Sequence, residues 1–569
     1  MPIEIIDADY LLTDTEKHFK VLAGPGAGKT RFLTNHLRNL LNNSKRLKIQ
    51  RRIACITFTN VATETILKRV GDHGGRLEIS TIHSFLYKYI VKPYVHLIAA
   101  EYDLDAKEIN GHDDILFTGY KFLQEWKAAT KQTYLDDKDV VKAFERLRWK
   151  FDGAGNLITS PPFPQKSGQY NFRTEGYLVY KKMVWKQGLL HHDDVLFFSY
   201  EIIKKYAFAL DVLRAQFPYF LVDEFQDTSP IQIEILKLIA QKETIIGVVG
   251  DEAQSIYKFL GAVPGQLQNF TLPGMLLFEI KDNHRSSNQI VNLLNAIRPV
   301  LKQDGIRKAD RSIIHMVIGD KIAALKWAEA TYTDSEIVSL SRENMTANSL
   351  KKGIGAGIHK DLLAELKEKD SNSARRRAVS NATKAVEYAR MGYFKDALKT
   401  IGKLYNHNKT DLDKKRSLKS LKILLDKYDH YAGNKVIELY NLIVTEGMAS
   451  LSRLSAGGAK SFYETTEYDH MALAVKNLYE AGNHRTIHKA KGEEFDAVML
   501  VLDKDEKGFF NEAKELSFLL KPDLDGDEEH RINYVAISRP QNHLVISAPS
   551  ISLANKANIE ALGINVVIL

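Results

Sequence analysis

Residues 21–33 read VLAGPGAGKTRFL, and their reading decides the fold. A short apolar, β-prone run gives way to glycines, and RFLTNHLRNLL then carries apolar residues at helical spacing. Strand, glycine loop and helix in that order point free backbone N–H groups at a phosphate. Gly24, Gly26 and Gly28 permit a close backbone approach that side chains would block. Lys29 supplies a point charge for the outer phosphates, and Thr30 offers a hydroxyl to Mg²⁺. The expected cradle is Ala23, Gly24, Pro25, Gly26, Ala27, Gly28, Lys29, Thr30 and Arg31, with Ala23 where the simplest pattern has glycine.

The acidic partner of such a loop lies in FPYFLVDEFQDTSPIQIEIL, residues 217–236. Its apolar run ends in Asp223 and Glu224, which sets two carboxylates at a strand's C-terminal edge beside the cradle. Asp223 is expected to hold Mg²⁺, directly or through water, and Glu224 to activate the attacking water as general base. A second β-prone run, CITFTN, occupies residues 55–60.

Composition bounds the setting. At 569 residues, 44% hydrophobic and 26% charged, the chain has room for several domains and their cores. No run approaches the ~20 apolar residues of a bilayer span, and MPIEIIDADYLL lacks the features of a secretion signal. The single cysteine, Cys55, excludes an intramolecular disulfide framework and a cysteine-based zinc module. A reducing cytoplasm is the expected compartment. The formal charge of +8 is concentrated in residues 351–480, which hold 24 Lys+Arg against 16 Asp+Glu; the remainder balances at 55 of each. Such a segment, with ARRRAVSNATK and DKKRSLKSLK, suits a polyanion such as DNA or a solvated helical face.

The words between and beyond these motifs carry a family resemblance. TFTNVATETILKRV (57–70), STIHSFL (80–86), LVDEFQDTSPIQ and VVGDEAQSIYKFLGA (248–262) follow in order. DNHRSSNQIV (282–291), RTIHKAKGEEFDAVML (485–500) and EEHRINYVAISRP (528–540) complete the series. In order and wording the chain resembles the UvrD/Rep/PcrA group of superfamily 1 DNA helicases. The resemblance implies an α/β fold with two RecA-like P-loop motor domains, ATP between them, and a mainly helical subdomain inserted in each. Residues 1–90 with 190–270 would form the first motor domain, with 91–189 as its insertion. Residues 271–350 with 481–569 would form the second, enclosing the basic insertion 351–480.

Site roles follow from the same resemblance. Gln254 would sense the γ-phosphate, while Arg285 and Arg539 would reach the nucleotide from the second motor domain. Glu494 would contact the ribose, and His284 stands where a tyrosine usually stacks on adenine. Phe58 and Phe259 hold the base-stacking positions, with Thr59, Asn60, His83, Tyr257, Thr486 and His488 along the strand. If the basic insertion faces the duplex rather than forming a solvated helical face, Arg375, Arg376 and Arg377 are the cations expected to contribute. The N-terminal LLTDTEKHFK lacks the Leu-Asn-x-x-Gln signature that reads adenine, and Val61, Leu260 and Glu493 replace a lysine, an arginine and a leucine.

The HHDD cluster at 191–194 has poor metal-ligand geometry for adjacent residues. About thirty residues follow Arg539, and a fused nuclease domain after the last motif is not expected. The implied activity is ATP-driven 3′ to 5′ movement on single-stranded and forked DNA. The alternative is a DNA-sensing regulatory ATPase or translocase that activates a partner nuclease. In size and in its AGPGAGKT wording the chain is also similar to the helicase subunits of Gabija-type phage defence.

Overall fold

A computed structural model describes residues 3–71, 74–113, 116–307, 312–355, 361–476 and 482–569. The side chains of Asn60 and Asn406 lie outside that description. Two units emerge, each built on a parallel sheet. The first comprises Met1–Arg285, Arg298–Ile306 and Asp523–Arg531; the second comprises Ser286–Ile297, Arg307–Pro522 and Ile532–Leu569.

The first unit's sheet has seven strands: β1 (Glu4–Ile6), β2 (Phe19–Ala23), β3 (Ile53–Thr57), β4 (Leu77–Thr81), β5 (Tyr219–Val222), β6 (Ile245–Gly250) and β7 (Leu276–Ile280). Their spatial order is β1-β7-β2-β6-β5-β3-β4, parallel throughout. Every residue of β3, β5 and β6 is buried, as expected for strands covered on both faces. The edge strands β1 and β4 are only partly buried. The sheet runs past the expected boundary at residue 270, because Leu276–Ile280 pairs with Phe19–Ala23. Those residues therefore sit beside the glycine loop, at the site itself.

Helix α1 (Lys29–Asn43) buries Phe32, Leu33, Leu37, Leu40 and Leu41 against one face of this sheet. Helix α2 (Asn60–Val70) follows β3, capped by Thr59, whose side chain accepts from Ala62 N. The excursion between β4 and β5 contains helices Tyr120–Thr130, Asp137–Glu145 and Glu175–Trp185. It also holds two short hairpins, Arg148–Phe151 with Leu157–Ser160 and Lys166–Ser167 with Tyr170–Asn171.

The second sheet contains β8 (Ile314–Ile318), β9 (Ile337–Ser341), β10 (His484–Thr486), β11 (Phe495–Val501), β12 (Pro540–Ala548) and β13 (Ile564–Ile568). Its order is β10-β9-β11-β12-β8-β13, again all parallel. Between β9 and β10 the chain builds a helical body with its own core, in which Leu366, Val386, Ile401, Leu424, Leu439 and Tyr468 are fully buried. No helix among the described residues is long and apolar enough to cross a membrane.

Two charge-bearing motifs turn out to be internal. In the basic insertion, Arg375 is 7% exposed and its guanidinium grips the buried Asp370 carboxylate at 2.6 and 2.8 Å. Tyr463 donates to the same carboxylate at 3.0 Å. Arg375 therefore holds the insertion together rather than facing a duplex, unlike the exposed Arg377.

In HHDD, Asp194 is completely buried at the start of helix α3 (His192–Lys205). It accepts from Trp149 Nε1 at 2.8 Å, Trp185 Nε1 at 2.9 Å and His191 N at 3.0 Å, and pairs with Lys181 Nζ at 2.8 Å. Burial alone would raise its carboxyl, but the Lys181 ammonium and His191 outweigh burial and hold it well below the ordinary range. Its neighbour Asp193, less well compensated by Lys181 and Trp149 N, is pushed up to about 6 by burial.

Asp194→Ala leaves the Lys181 ammonium and two indole N–H groups unpaired in the interior. A broken buried pair costs about 3–5 kcal/mol, whereas an apolar replacement of both charges is close to neutral. Chemical denaturation followed by tryptophan fluorescence should show that loss for Asp194→Ala and substantial recovery in Lys181→Met/Asp194→Leu.

Candidate functional site

The glycine loop connects β2 to α1. Gly28, at φ 87°, precedes Lys29, and no side chain caps the helix. The first N–H groups of α1 thus form the open, positive helix end that suits an anion. Lys29 is 9% exposed, and its ammonium donates to the carbonyls of Ala23 at 3.2 Å and Gly24 at 3.1 Å, which holds the charge over the loop. Thr30 follows it in the helix's first turn, half-buried.

The loop is braced by neighbouring side chains. Pro25 O accepts from Asn283 Nδ2 at 2.9 Å and Gln303 Nε2 at 3.0 Å, and Gly26 O accepts from His284 N at 3.0 Å. A Cβ on Gly24 would lie 2.4 Å from Gln303 Cδ; on Gly26 it would lie 2.6 Å from Asn283 Oδ1 and 2.8 Å from Arg285 Cβ. The smallness of these two glycines therefore serves close packing by the protein itself. This packing also sets Arg285 and His284 beside the loop, within the first unit. Arg31 is engaged elsewhere: its guanidinium binds Asp9 at 2.7 and 2.5 Å.

At the acidic edge, β5 delivers Asp223, which is 5% exposed and whose N–H donates to Ile56 O at 2.8 Å. Glu224 follows at φ 51°, a left-handed backbone that costs a non-glycine residue about 1–3 kcal/mol. Its carboxylate accepts from Gln226 Nε2 at 2.5 Å. Gln226 is fully buried; its Oε1 accepts from Asp251 N at 3.0 Å and its backbone carbonyl from Ser255 Oγ at 3.1 Å.

Asp251, at the end of β6, accepts from Gln254 Nε2 at 2.6 Å and Arg298 Nη1 at 2.5 Å. Burial would raise the Asp251 carboxyl; Arg298, Lys29 and Gln254 together outweigh burial and keep it below its ordinary range. The Gln254 amide thus lies on Asp251, one strand from the glycine loop. Gln226, Arg298, Asn283 and Gln303 are site residues that the sequence reading missed. Gln226 stood inside DEFQD and had a signal, a glutamine two residues past the acid pair. Arg298 and Gln303 had none, because only folding brings them to a loop far away in sequence.

The loop after Gln254 carries the aromatic residues. Phe58 stacks on Tyr257 with centroids 4.4 Å apart and planes 24° apart. Tyr257 is 8% exposed, and Phe259, 5.9 Å beyond it, is 57% exposed. A cavity of about 390 Å³ along the β3–β5 edge is lined by Phe58, His83, Asp223, Glu224 and Leu260. The structure therefore brings Phe58, His83, Tyr257 and Phe259 to one edge with the acid pair. Thr59 is occupied as a helix cap, and Asn60 opens α2.

Thr486, His488, Glu494 and Arg539 belong to the second unit. Thr486 ends β10 and is buried, His488 lies in the following 3₁₀ turn, and Glu494 is exposed just before β11. Arg539 is 2% exposed; its guanidinium donates to Val535 O at 3.0 Å, Ser538 Oγ at 2.9 Å and Glu493 O at 3.3 Å. Glu493, in place of the usual leucine, pairs with Arg485 at 2.8 Å, so the departure has a structural partner.

Comparison with known proteins agrees with this geometry. The UvrD/REP helicase N-terminal domain matches residues 8–273, and the UvrD-like helicase C-terminal domain matches residues 357–550. The chain is 24% identical over 632 aligned positions to the putative ATP-dependent DNA helicase YjcD of Bacillus subtilis, covering 96% of this chain and 79% of that one. It is 25% identical over 615 positions to a probable DNA helicase II homolog of Rickettsia conorii, covering 94% and 90%. With the ATP-dependent DNA helicase PcrA of Bacillus subtilis it is 29% identical over 303 positions, covering 52% of this chain and only 39% of that protein. Parallel sheets, a braced glycine loop, an acid pair two strands away and these two matches lead to one conclusion: the chain belongs to the UvrD/Rep/PcrA family of superfamily 1 helicases.

Proposed function

We propose that this chain, as an ATP-dependent DNA helicase of the UvrD family, hydrolyses ATP at the Lys29–Asp223–Glu224 edge to step 3′ to 5′ along a single strand. The duplex ahead is separated by that stepping. One observation carries the reading. Glu224, Gln226, Asp251 and Gln254 form an unbroken hydrogen-bonded path into the loop that presents Tyr257 and the exposed Phe259. This path would let a change at the acid pair reach the aromatic loop.

Lys29 and the open end of α1 would take the phosphates, with Arg285 alongside to stabilise charge on the transferred phosphoryl group. Glu224 would accept the proton of the attacking water. The Thr30 hydroxyl and Asp223 carboxylate are hard oxygen donors of the kind that suit Mg²⁺, which would neutralise phosphate charge when bound. His284, with a side chain 39% exposed, offers a ring face for the base. Phe259 and the Phe58–Tyr257 pair would stack on strand bases irrespective of sequence.

A second reading draws on Val61 and Leu260, exposed at 48% and 46% where the family pattern has cations. Weaker backbone contacts there suit a translocating or DNA-sensing ATPase that acts with a partner nuclease. Streptavidin displacement from biotinylated single strands measures stepping, and strand displacement from forks measures unwinding. Helicase action requires both, with release from the 5′ end faster than from the 3′ end. Streptavidin release alone selects the second reading, and release faster from the 3′ end refutes the polarity.

The two halves of the ATP site separate by mutation. Lys29→Ala is expected to weaken nucleotide binding and abolish turnover. Glu224→Gln is expected to retain nucleotide and lose turnover by about 10²-fold or more, which single-turnover phosphate release measures.

Phe259→Ala tests the strand side. Its ring is exposed, so the melting curve should barely move, in contrast to the about 3–5 kcal/mol of a core Phe→Ala change. Loss of one base stack is worth about 1–3 kcal/mol, or roughly five- to 150-fold in strand affinity. ATPase titrated with single-stranded DNA should show most stimulation gone even at saturation, with DNA-free turnover retained.

A further inference from the structure

The helical body between β9 and β10 contains a second concave site. A cleft of about 680 Å³ opens between helix α4 (Ser373–Arg390), the turn at 402–405, helix α5 (Asp411–Asp426) and the segment 446–451. Arg377, Lys403, Arg416 and Lys419 line it and are all exposed. Glu446 is the single carboxylate among its described lining residues, and it already accepts from Lys427 at 2.6 Å.

Lys403, Arg416 and Lys419 make no ion pair among the described residues. Arg377 donates only its Nε, to Ser373 O at 3.1 Å. Like charges gathered in a concavity repel one another and focus a positive potential into it.

Apolar side chains form part of the cleft's lining. Arg416, Lys419 and Ile423 fall at three- and four-residue intervals on α5, so they share one helix face. Met448, 4% exposed, and Leu451 add to the apolar part of the lining. Tyr405 lines the wall, its hydroxyl fixed to Ser420 Oγ at 2.6 Å. Cations beside Tyr405, Ile423 and Leu451 match a ligand that is polyanionic at one end and flat and weakly polar at the other. The volume lies within the range of small-molecule sites.

We propose that this cleft is a second nucleotide site, taking a free nucleoside polyphosphate whose phosphates meet Arg416, Lys419, Lys403 and Arg377 and whose base rests against Tyr405 and the apolar part of the lining. It is separate from the glycine loop and uses none of its residues. Occupancy neutralises the local charge excess of the insertion, so nucleotide concentration sets how strongly this face attracts other polyanions.

Isothermal titration of the full chain with ATPγS tests the proposal. Wild type is expected to bind two equivalents, and Lys29→Ala to keep the cleft site alone. Arg416→Ser/Lys419→Ser is expected to keep the glycine-loop site and weaken the other at least tenfold. The substituted side chains are exposed, and an unchanged melting curve with unchanged DNA-free ATPase confirms an intact protein. Lys403→Glu supplies an independent variant with the same expected loss. A single equivalent in wild type that disappears in Lys29→Ala overturns the proposal. So does a double variant that keeps its nucleotide stoichiometry but loses duplex affinity and salt dependence, which assigns the cleft to nucleic-acid backbone instead.

Discussion

The buried amide of Gln226 is the contact on which the working parts of the first unit depend. Its nitrogen donates to Glu224 and its oxygen accepts from the backbone of Asp251. An amide can do both at once, whereas a carboxylate only accepts and an ammonium only donates. With no exposure to water, losing either bond leaves a polar atom unsatisfied in the interior, which costs about 1–3 kcal/mol. The left-handed backbone at Glu224 adds to the constraint, because such a conformation persists only where its surroundings over-determine it. The acid that would activate water is thus held by the same group that positions the start of the aromatic loop.

The order of strands makes this linkage possible. The glycine loop leaves β2, Asp251 leaves β6, and the acid pair leaves β5, three neighbours in a parallel sheet. Parallel strands end on the same side, so all three chemical elements arrive at one edge. The neighbouring strand β7 adds the segment that carries Asn283, His284 and Arg285 beside the loop. Deep burial of β3, β5 and β6 keeps this edge in register.

Much of this was legible in the sequence, and the limits have physical causes. The cradle, the acid pair and the aromatic positions lie in contiguous words where local spacing dictates geometry. Side-chain direction was not legible. Arg31 and Arg375 read as available cations, yet each closes on a carboxylate, Asp9 or Asp370, that its surrounding motif does not reveal. Asp194 read only as part of an HHDD string with poor metal-ligand geometry, whereas two tryptophans and a lysine from another helix and a hairpin enclose it. The boundary near residue 270 was misplaced because nothing in LLFEI says which of two similar sheets it joins; that is decided by its pairing with β2. The charge excess of residues 351–480 was countable, but its gathering into a cleft required the packing of α4 against α5 and the loops that follow.

The central claim is that Gln226 ties the base to the strand-sensing loop, acting as a positioning residue. Its most direct test is the ratio of DNA-stimulated to DNA-free turnover in Gln226→Leu, with strand affinity measured separately by fluorescence anisotropy and folding checked by a melting curve. The account predicts that strand affinity stays within about twofold, since stacking does not involve the amide, while the stimulation ratio falls at least about tenfold. A folded Gln226→Leu protein whose turnover is stimulated as strongly as wild type would contradict it.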